Sequence, residues 1–124
     1  MLNQSRAFSS FSVDDVERTR TFYAQTLGLD VGGVDGMPEL LELRLSTGAR
    51  VMVYAKPNHE PASFTVLNFR VKDLEATVEE LKRRGVKFEI YDAGPVRTDD
   101  RGISTGEGPK MAWFRDNAGN ILSV

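Results

Sequence analysis

Two stretches of the chain repeat one pattern of apolar and polar positions. In the first, Ala7–Val13 alternates, with Phe11 and Val13 on one face and Ser10 and Ser12 on the other, the period of a half-buried strand. Val16, Thr19, Phe22, Tyr23, Thr26 and Leu27 then recur at helical spacing. Asp15 precedes them as an N-cap, Glu17 lies in the positively polarised first turn, and Gly28 fits the position just past the helix end. Phe69, Val71, Asp73, Leu74 and Glu75 restate Phe11, Val13, Asp15, Val16 and Glu17, 58 positions later throughout. The second helix carries Leu74, Val78 and Leu81 on one stripe and closes at Arg84-Gly85-Val86, as the first closes at Leu27-Gly28-Leu29. The pattern predicts a duplicated strand-then-helix unit.

Between and after these units the period is that of strands. A short second strand near Leu29–Val31 ends in the glycine-rich VGGVDGMP. Leu41, Leu43 and Leu45 alternate with Glu42 and Arg44 in a third, and Arg50–Tyr54 forms a fourth, hairpinned around Ser46-Thr47-Gly48. Residues 56–63, KPNHEPAS, hold two prolines and no apolar period and read as a linker. Strands are then expected over Phe64–Val71 and Val86–Tyr91, and a closing hairpin joins Met111–Arg115 to Asn120–Val124 around Asn117-Ala118-Gly119. Asp92–Lys110, rich in glycine and charge, is long for a connector and reads as a mobile functional loop that orders over a ligand. Four strands fall between the end of the first helix and the start of the second, where a ferredoxin-like chain allows two. The expectation is an α+β fold of two βαβββ modules, residues 5–55 and 64–124, within one domain spanning 1–124. Each sheet packs its apolar phase on its helix, and the other faces form a shared cup.

Composition narrows the chemistry. A chain of 124 residues, 40% hydrophobic and 27% charged, builds a core without disulfides or a structural metal. The formal net charge of −2 argues against nucleic acid and anionic membranes as partners. The absence of cysteine removes thiol catalysis and zinc-ribbon readings. No apolar run approaches the ~20 residues of a membrane span, and Met1–Phe8 has no signal-peptide core, so a cytoplasmic setting is expected. His59, the single histidine, lies in the linker and reads as a solvated or linker-bonding side chain, because one histidine cannot build a two-histidine facial triad.

With these elements in place, FSVDDVERTRTFYAQTLGL and LNFRVKDLEATVEELKRRGVKF resemble the two modules of the vicinal oxygen chelate superfamily. That superfamily comprises glyoxalase I, the bleomycin- and fosfomycin-resistance proteins and the extradiol dioxygenases. The closing WFRDNAGNILSV is similar to its F-x-D-P-D-G-N-x-x-E-L hairpin. The resemblance covers most of the chain. It implies the glyoxalase/bleomycin-resistance/dioxygenase fold and a homodimer, to which open sheet edges also point. In metal-dependent members four cup-facing positions, usually His or Glu, supply the ligands. Carried over by spacing, these are Phe8, Met52, Val66 and Ser123, none of them a usable ligand for a hard divalent ion. No metal and no cofactor are therefore expected.

Extending the phase of these positions assigns Ser10, Arg50, Tyr54, Phe64, Asn68, Trp113 and Arg115 to the cup, with Glu42 and Arg44 joining them if the leucines between face the helix. So many polar groups suit a wet, ligand-sized cavity rather than a dry core. Trp113 reads either as an aromatic wall for a ligand or as a plug for the cup's base. Glu42 reads as a general base or as the partner of a neighbouring charge. Arg44, Arg50, Arg70 and Arg115 suit an anionic or carbonyl-rich ligand, since guanidinium groups match planar oxygen acceptors. The sequence supports a metal-free protein that binds or sequesters a planar or aromatic small molecule, through Ser10, Arg44, Arg50, Tyr54, Phe64, Asn68, Trp113 and Arg115. The alternative is a lyase, isomerase or dioxygenase of the same superfamily using non-standard residues. A third reading is a sensing or interaction module without turnover.

Overall fold

Asp15 and Asp73 start the two helices in the same way. In the computed structural model, which describes residues 1–124, the Asp15 carboxylate accepts the Arg18 N–H at 3.0 Å ahead of α1 (Val16–Thr21). The Asp73 carboxylate accepts the Ala76 N–H at 3.0 Å ahead of α2 (Leu74–Arg83). Each cap is worth about 1 kcal/mol. One turn on, the Thr19 and Thr77 hydroxyls donate back to the Asp15 and Asp73 carbonyls at 2.7 and 2.8 Å. The duplication is thus physical as well as textual.

The chain divides into two units, Met1–Glu60 and Pro61–Val124. In the first, β1 (Ser9–Val13), β2 (Asp30–Val34), β3 (Met37–Arg44) and β4 (Arg50–Ala55) form one sheet in the order β1-β4-β3-β2. β1 and β4 are parallel, and the other neighbours are antiparallel. Val13, Leu41, Leu43, Val51 and Val53 are buried on one sheet face, with Thr19 and Tyr23 from the helical segment. That segment does not run on as an α-helix: Phe22–Thr26 is a π-helical turn, in which the Leu27 N–H reaches the Phe22 carbonyl at 3.0 Å. The wider turn accompanies a fully buried Tyr23 whose ring lies 5.4 Å from Phe22 and 6.2 Å from Phe11. Gly28 ends it at φ +75°, a backbone state that costs glycine little.

In the second unit, β5 (Thr65–Asn68), β6 (Trp113–Arg115) and β7 (Ile121–Ser123) take the order β5-β7-β6, with β5 and β7 parallel. The order matches β1-β4-β3 of the first unit. The strand expected over Val86–Tyr91 is reduced to a single antiparallel bridge, Phe88 to Phe114, and one bond from the Glu89 N–H to the Trp113 carbonyl at 2.8 Å. Beyond it the chain leaves the sheet, because the Tyr91 carbonyl and N–H are both taken by Thr98. Phe88, Phe114, Leu122, Val78, Leu81 and Ile103 are buried in this unit.

Asp92–Lys110 is more structured than its glycine content suggests. Thr98 bridges Ser104, and Ile103 bridges Ala112. The Asp99 carboxylate accepts the Arg101 and Ile103 N–H groups at 2.9 and 3.0 Å. Arg101 returns to Asp99 at 2.9 Å and reaches Glu75 on α2 at 3.3 Å. Residues 97–105 are therefore a folded, hydrogen-bonded element, and Asp99 and Arg101 are spent on it. No helix is long and apolar enough to cross a membrane.

Candidate functional site

In the first unit, cross-strand register decides which side chains share the face opposite the leucine and valine core. Ser10, Met52, Glu42 and Gly32 form one row across β1, β4, β3 and β2. Ser12, Tyr54 and Leu40 form the next, and Arg50, Arg44 and Asp30 lie on the other side. Ser10, Arg44, Arg50 and Tyr54 thus share one sheet face, as the alternation requires. At its centre the Glu42 carboxylate accepts from Arg44 Nε at 3.0 Å and Arg50 Nη1 at 2.6 Å, and Arg44 also pairs with Asp30 at 3.5 Å. The Arg44 guanidinium sits over Gly32, where a Cβ would clash with it. A side chain at Gly32 has to push that guanidinium aside.

This pairing sets the chemistry of Glu42. The hydrogen bond from Arg44 holds its carboxyl below the ordinary value, burial opposes the shift, and the Arg50 charge adds to it. A carboxylate so held is a poor proton acceptor at neutral pH. The same pairs offset the charges of Arg44 and Arg50. Because the folded-state value is depressed, the stabilisation from Glu42 is present at neutral pH and lost as pH falls through that value. The stability difference between the protein and Glu42→Gln, from denaturant melts, is expected to be largest near neutrality and to shrink on acidification. A difference that widens toward acid contradicts the pairing.

His59 also belongs to this unit. Its Nδ1 lies 2.7 Å from Ser12 Oγ, so the linker is fastened to β1 rather than free in solvent.

In the second unit, Asn68, Ser123 and Trp113 form a row across β5, β7 and β6. The buried Ser123 hydroxyl donates to Asn68 Oδ1 at 2.5 Å. The half-buried Trp113 indole meets Tyr91 edge-on, with centroids 5.7 Å apart at 65°. Arg115 pairs with Glu89 and donates to the Gly119 carbonyl at 3.1 Å. Burial pushes the Tyr91 phenol up, with Glu89 adding to the shift. Phe64 departs from its expected place. It precedes β5, is 68% exposed, and lies beyond a register shift between Thr65 and Leu67. The shift puts Thr65, not Val66 or Phe64, in phase with Asn68, so the extrapolated alternation fails there. Tyr91 and Glu89 went unnoticed in the sequence because each meets its partner only across the strands.

Beside this row lies a cavity of about 500 Å³, with Asn68–Val71 on one wall, Pro109–Met111 on another, and Leu74, Ser123 and Val124 completing it. This volume suits a small organic molecule.

The positions that carry metal ligands in metal-dependent relatives do not fit a divalent ion here. Phe8 and Val66 have no donor atom, and Thr65, which takes Val66's place in the register, has only a neutral hydroxyl. Met52 offers a thioether beside Glu42, and the Ser123 hydroxyl is committed to Asn68. No group of three His, Cys, Asp or Glu side chains is arranged to hold a metal.

A model of the Glyoxalase/Bleomycin resistance protein/Dioxygenase superfamily matches residues 7–124. No curated protein matches the chain. Among solved structures, a glyoxalase family protein from Enterococcus faecalis superposes with a TM-score of 0.67 at 23% identity, covering 99% of this chain and 98% of that one. TnmS3, an antibiotic binding protein from Streptomyces sp. CB03234, gives 0.63 at 22% identity, covering 97% and 94%. The fosfomycin resistance protein FosX from Listeria monocytogenes, complexed with Mn(II) and a dihydroxypropylphosphonic acid, gives 0.64 at 15%, covering 97% and 87%. The duplicated caps, the matching strand orders and the family model agree: the chain belongs to the glyoxalase/bleomycin resistance/dioxygenase superfamily.

Proposed function

We propose that this protein binds and sequesters a planar or aromatic small molecule, without a resident metal, in a cytoplasmic setting. The observation that carries the reading is the Trp113–Ser123–Asn68 row. An indole stacked edge-on with Tyr91 shares one row with a hydrogen-bonded amide, and between them the family's metal position is a committed serine. Aromatic walls with a few oriented polar groups are what small-molecule sites need. TnmS3, an antibiotic binding protein of the same fold, supports the class. Ser10, Arg44, Arg50 and Tyr54 on the first sheet face, with Phe64 and Arg115 in the second unit, are the remaining candidate contacts.

The test uses the single tryptophan as its reporter. Aromatic ligands are expected to quench Trp113 emission, and metal analysis of the purified protein is expected to find no stoichiometric zinc, nickel, iron or manganese. One tightly held transition ion per chain, lost on chelation together with a lyase, isomerase or dioxygenase activity, overturns the reading and establishes the enzyme. As part of the same proposal the protein is a homodimer. Exposed Phe8 (69%), Phe64 (68%) and Ile90 (54%) give an assembly apolar surface to bury. Light scattering at micromolar concentration should return twice the 13.8 kDa chain mass, and a monomer mass refutes the dimer.

A further inference from the structure

The cations of this chain fall into two groups. One group is paired with carboxylates: Arg20 with Glu17, Arg44 and Arg50 with Glu42, Arg115 with Glu89, Arg101 with Asp99 and Glu75, Arg83 and Arg84 with Glu80. Arg70 has no carboxylate partner, and Lys110 gives one hydrogen bond, to the Ser104 carbonyl at 3.1 Å, leaving two ammonium protons. Both line the 500 Å³ cavity of the second unit, whose lining contains no aspartate or glutamate.

Of the cavity's other polar side chains, Asn68 keeps a donor, while Ser123 has committed its only proton. Ser123 gives its proton to Asn68 Oδ1, an orientation that leaves the amide's Nδ2 free to donate. The carboxylates of the adjoining cavity are engaged: Asp73 caps α2, Asp99 closes its own turn, and Glu75 meets Arg101. The remaining lining is apolar, including Phe69, Val71, Leu74 and Met111. Two cations and an amide donor, with no aspartate or glutamate side chain among them and an apolar wall around them, suit an anion on an apolar body.

We propose that the cavity walled by residues 68–71 and 109–111 binds a small amphipathic monoanion, an aromatic carboxylate or sulfonate. Its anionic group lies toward Arg70, Lys110 and the Asn68 amide, and its ring against Phe69, Leu74 and Met111. The inference rests on the small-molecule reading and adds the charge of the ligand.

Two probes with the same aromatic body test it: 8-anilinonaphthalene-1-sulfonate, an anion, and N-phenyl-1-naphthylamine, which is neutral. The anion is expected to bind about tenfold or more tightly, equivalent to about 1.4 kcal/mol, with the advantage shrinking as salt is raised. The double variant Arg70→Gln/Lys110→Gln is expected to abolish that advantage while leaving the neutral probe unchanged, and Arg70→Lys to retain most of it. Both side chains are exposed, so the variants should match the parent in circular dichroism and melting. Trp113→Ala is expected to leave the ratio of the two affinities intact. Equal affinities, or a ratio unmoved by the double variant, overturn the anion inference and leave small-molecule binding standing. Failure of both probes to bind overturns both.

Discussion

Replacing Asp116 by alanine is expected to destabilise the second unit by about 2–4 kcal/mol, the range for stripping a buried hydrogen-bonded carboxylate from its donors. Asp116 is 6% exposed, and one of its oxygens accepts the Ala118 and Asn120 N–H groups, each at 2.9 Å. The other accepts the Asn120 side-chain amide at 3.2 Å. Asn120 in turn accepts the Ala62 N–H at 3.1 Å, fastening the start of the unit to its closing hairpin. Gly119 completes the turn at φ +83°, where a Cβ would sit 2.9 Å from Pro61. Alanine at 116 leaves two backbone donors and an amide without acceptors in a dry place. Asp116→Asn keeps one acceptor oxygen and should cost less. Urea melts that place Asp116→Ala within about 0.5 kcal/mol of the parent contradict this account.

The network also explains which parts of the chain were legible. The aspartate, glycine and asparagine of the closing hairpin resemble the family signature because they build the turn, and such a signature reports fold rather than chemistry. The helix starts were equally local: Asp15 with Thr19 and Asp73 with Thr77 act within one turn, so the repeat could be read directly. On the first sheet, strict alternation placed Ser10, Glu42, Arg44, Arg50 and Tyr54 on one face. It failed for Phe64, because a bulge inserts a residue without any mark in the composition. It also failed for Val86–Tyr91, where an alternating stretch makes one bridge before Thr98 captures Tyr91. What stayed hidden was compensation across strands. Glu89 meets Arg115 from 26 residues away, and only the register shows that this arginine is already neutralised.

Adjacent residues on β6 provide the second large effect, and they separate core from site. Phe114 is fully buried, pairs with the equally buried Leu122 and meets Phe88 edge-on at 5.5 Å. Phe114→Ala is expected to cost about 3–5 kcal/mol, because the lost ring leaves a cavity that the sheet cannot close. Trp113 points to the opposite face, half-buried, with Tyr91 on one edge. Its replacement by alanine should spare most of the stability and weaken an aromatic ligand by about 1–3 kcal/mol, the loss of one stacking wall. The two variants therefore make opposite demands on one strand: one loses the fold, the other loses the ligand. Denaturant melts and ligand titrations of both settle the assignment. If Trp113→Ala unfolds as readily as Phe114→Ala while the remaining folded protein binds aromatics unchanged, Trp113 is a plug in the packing, and the small-molecule site has to be sought on residues other than the Trp113–Ser123–Asn68 row.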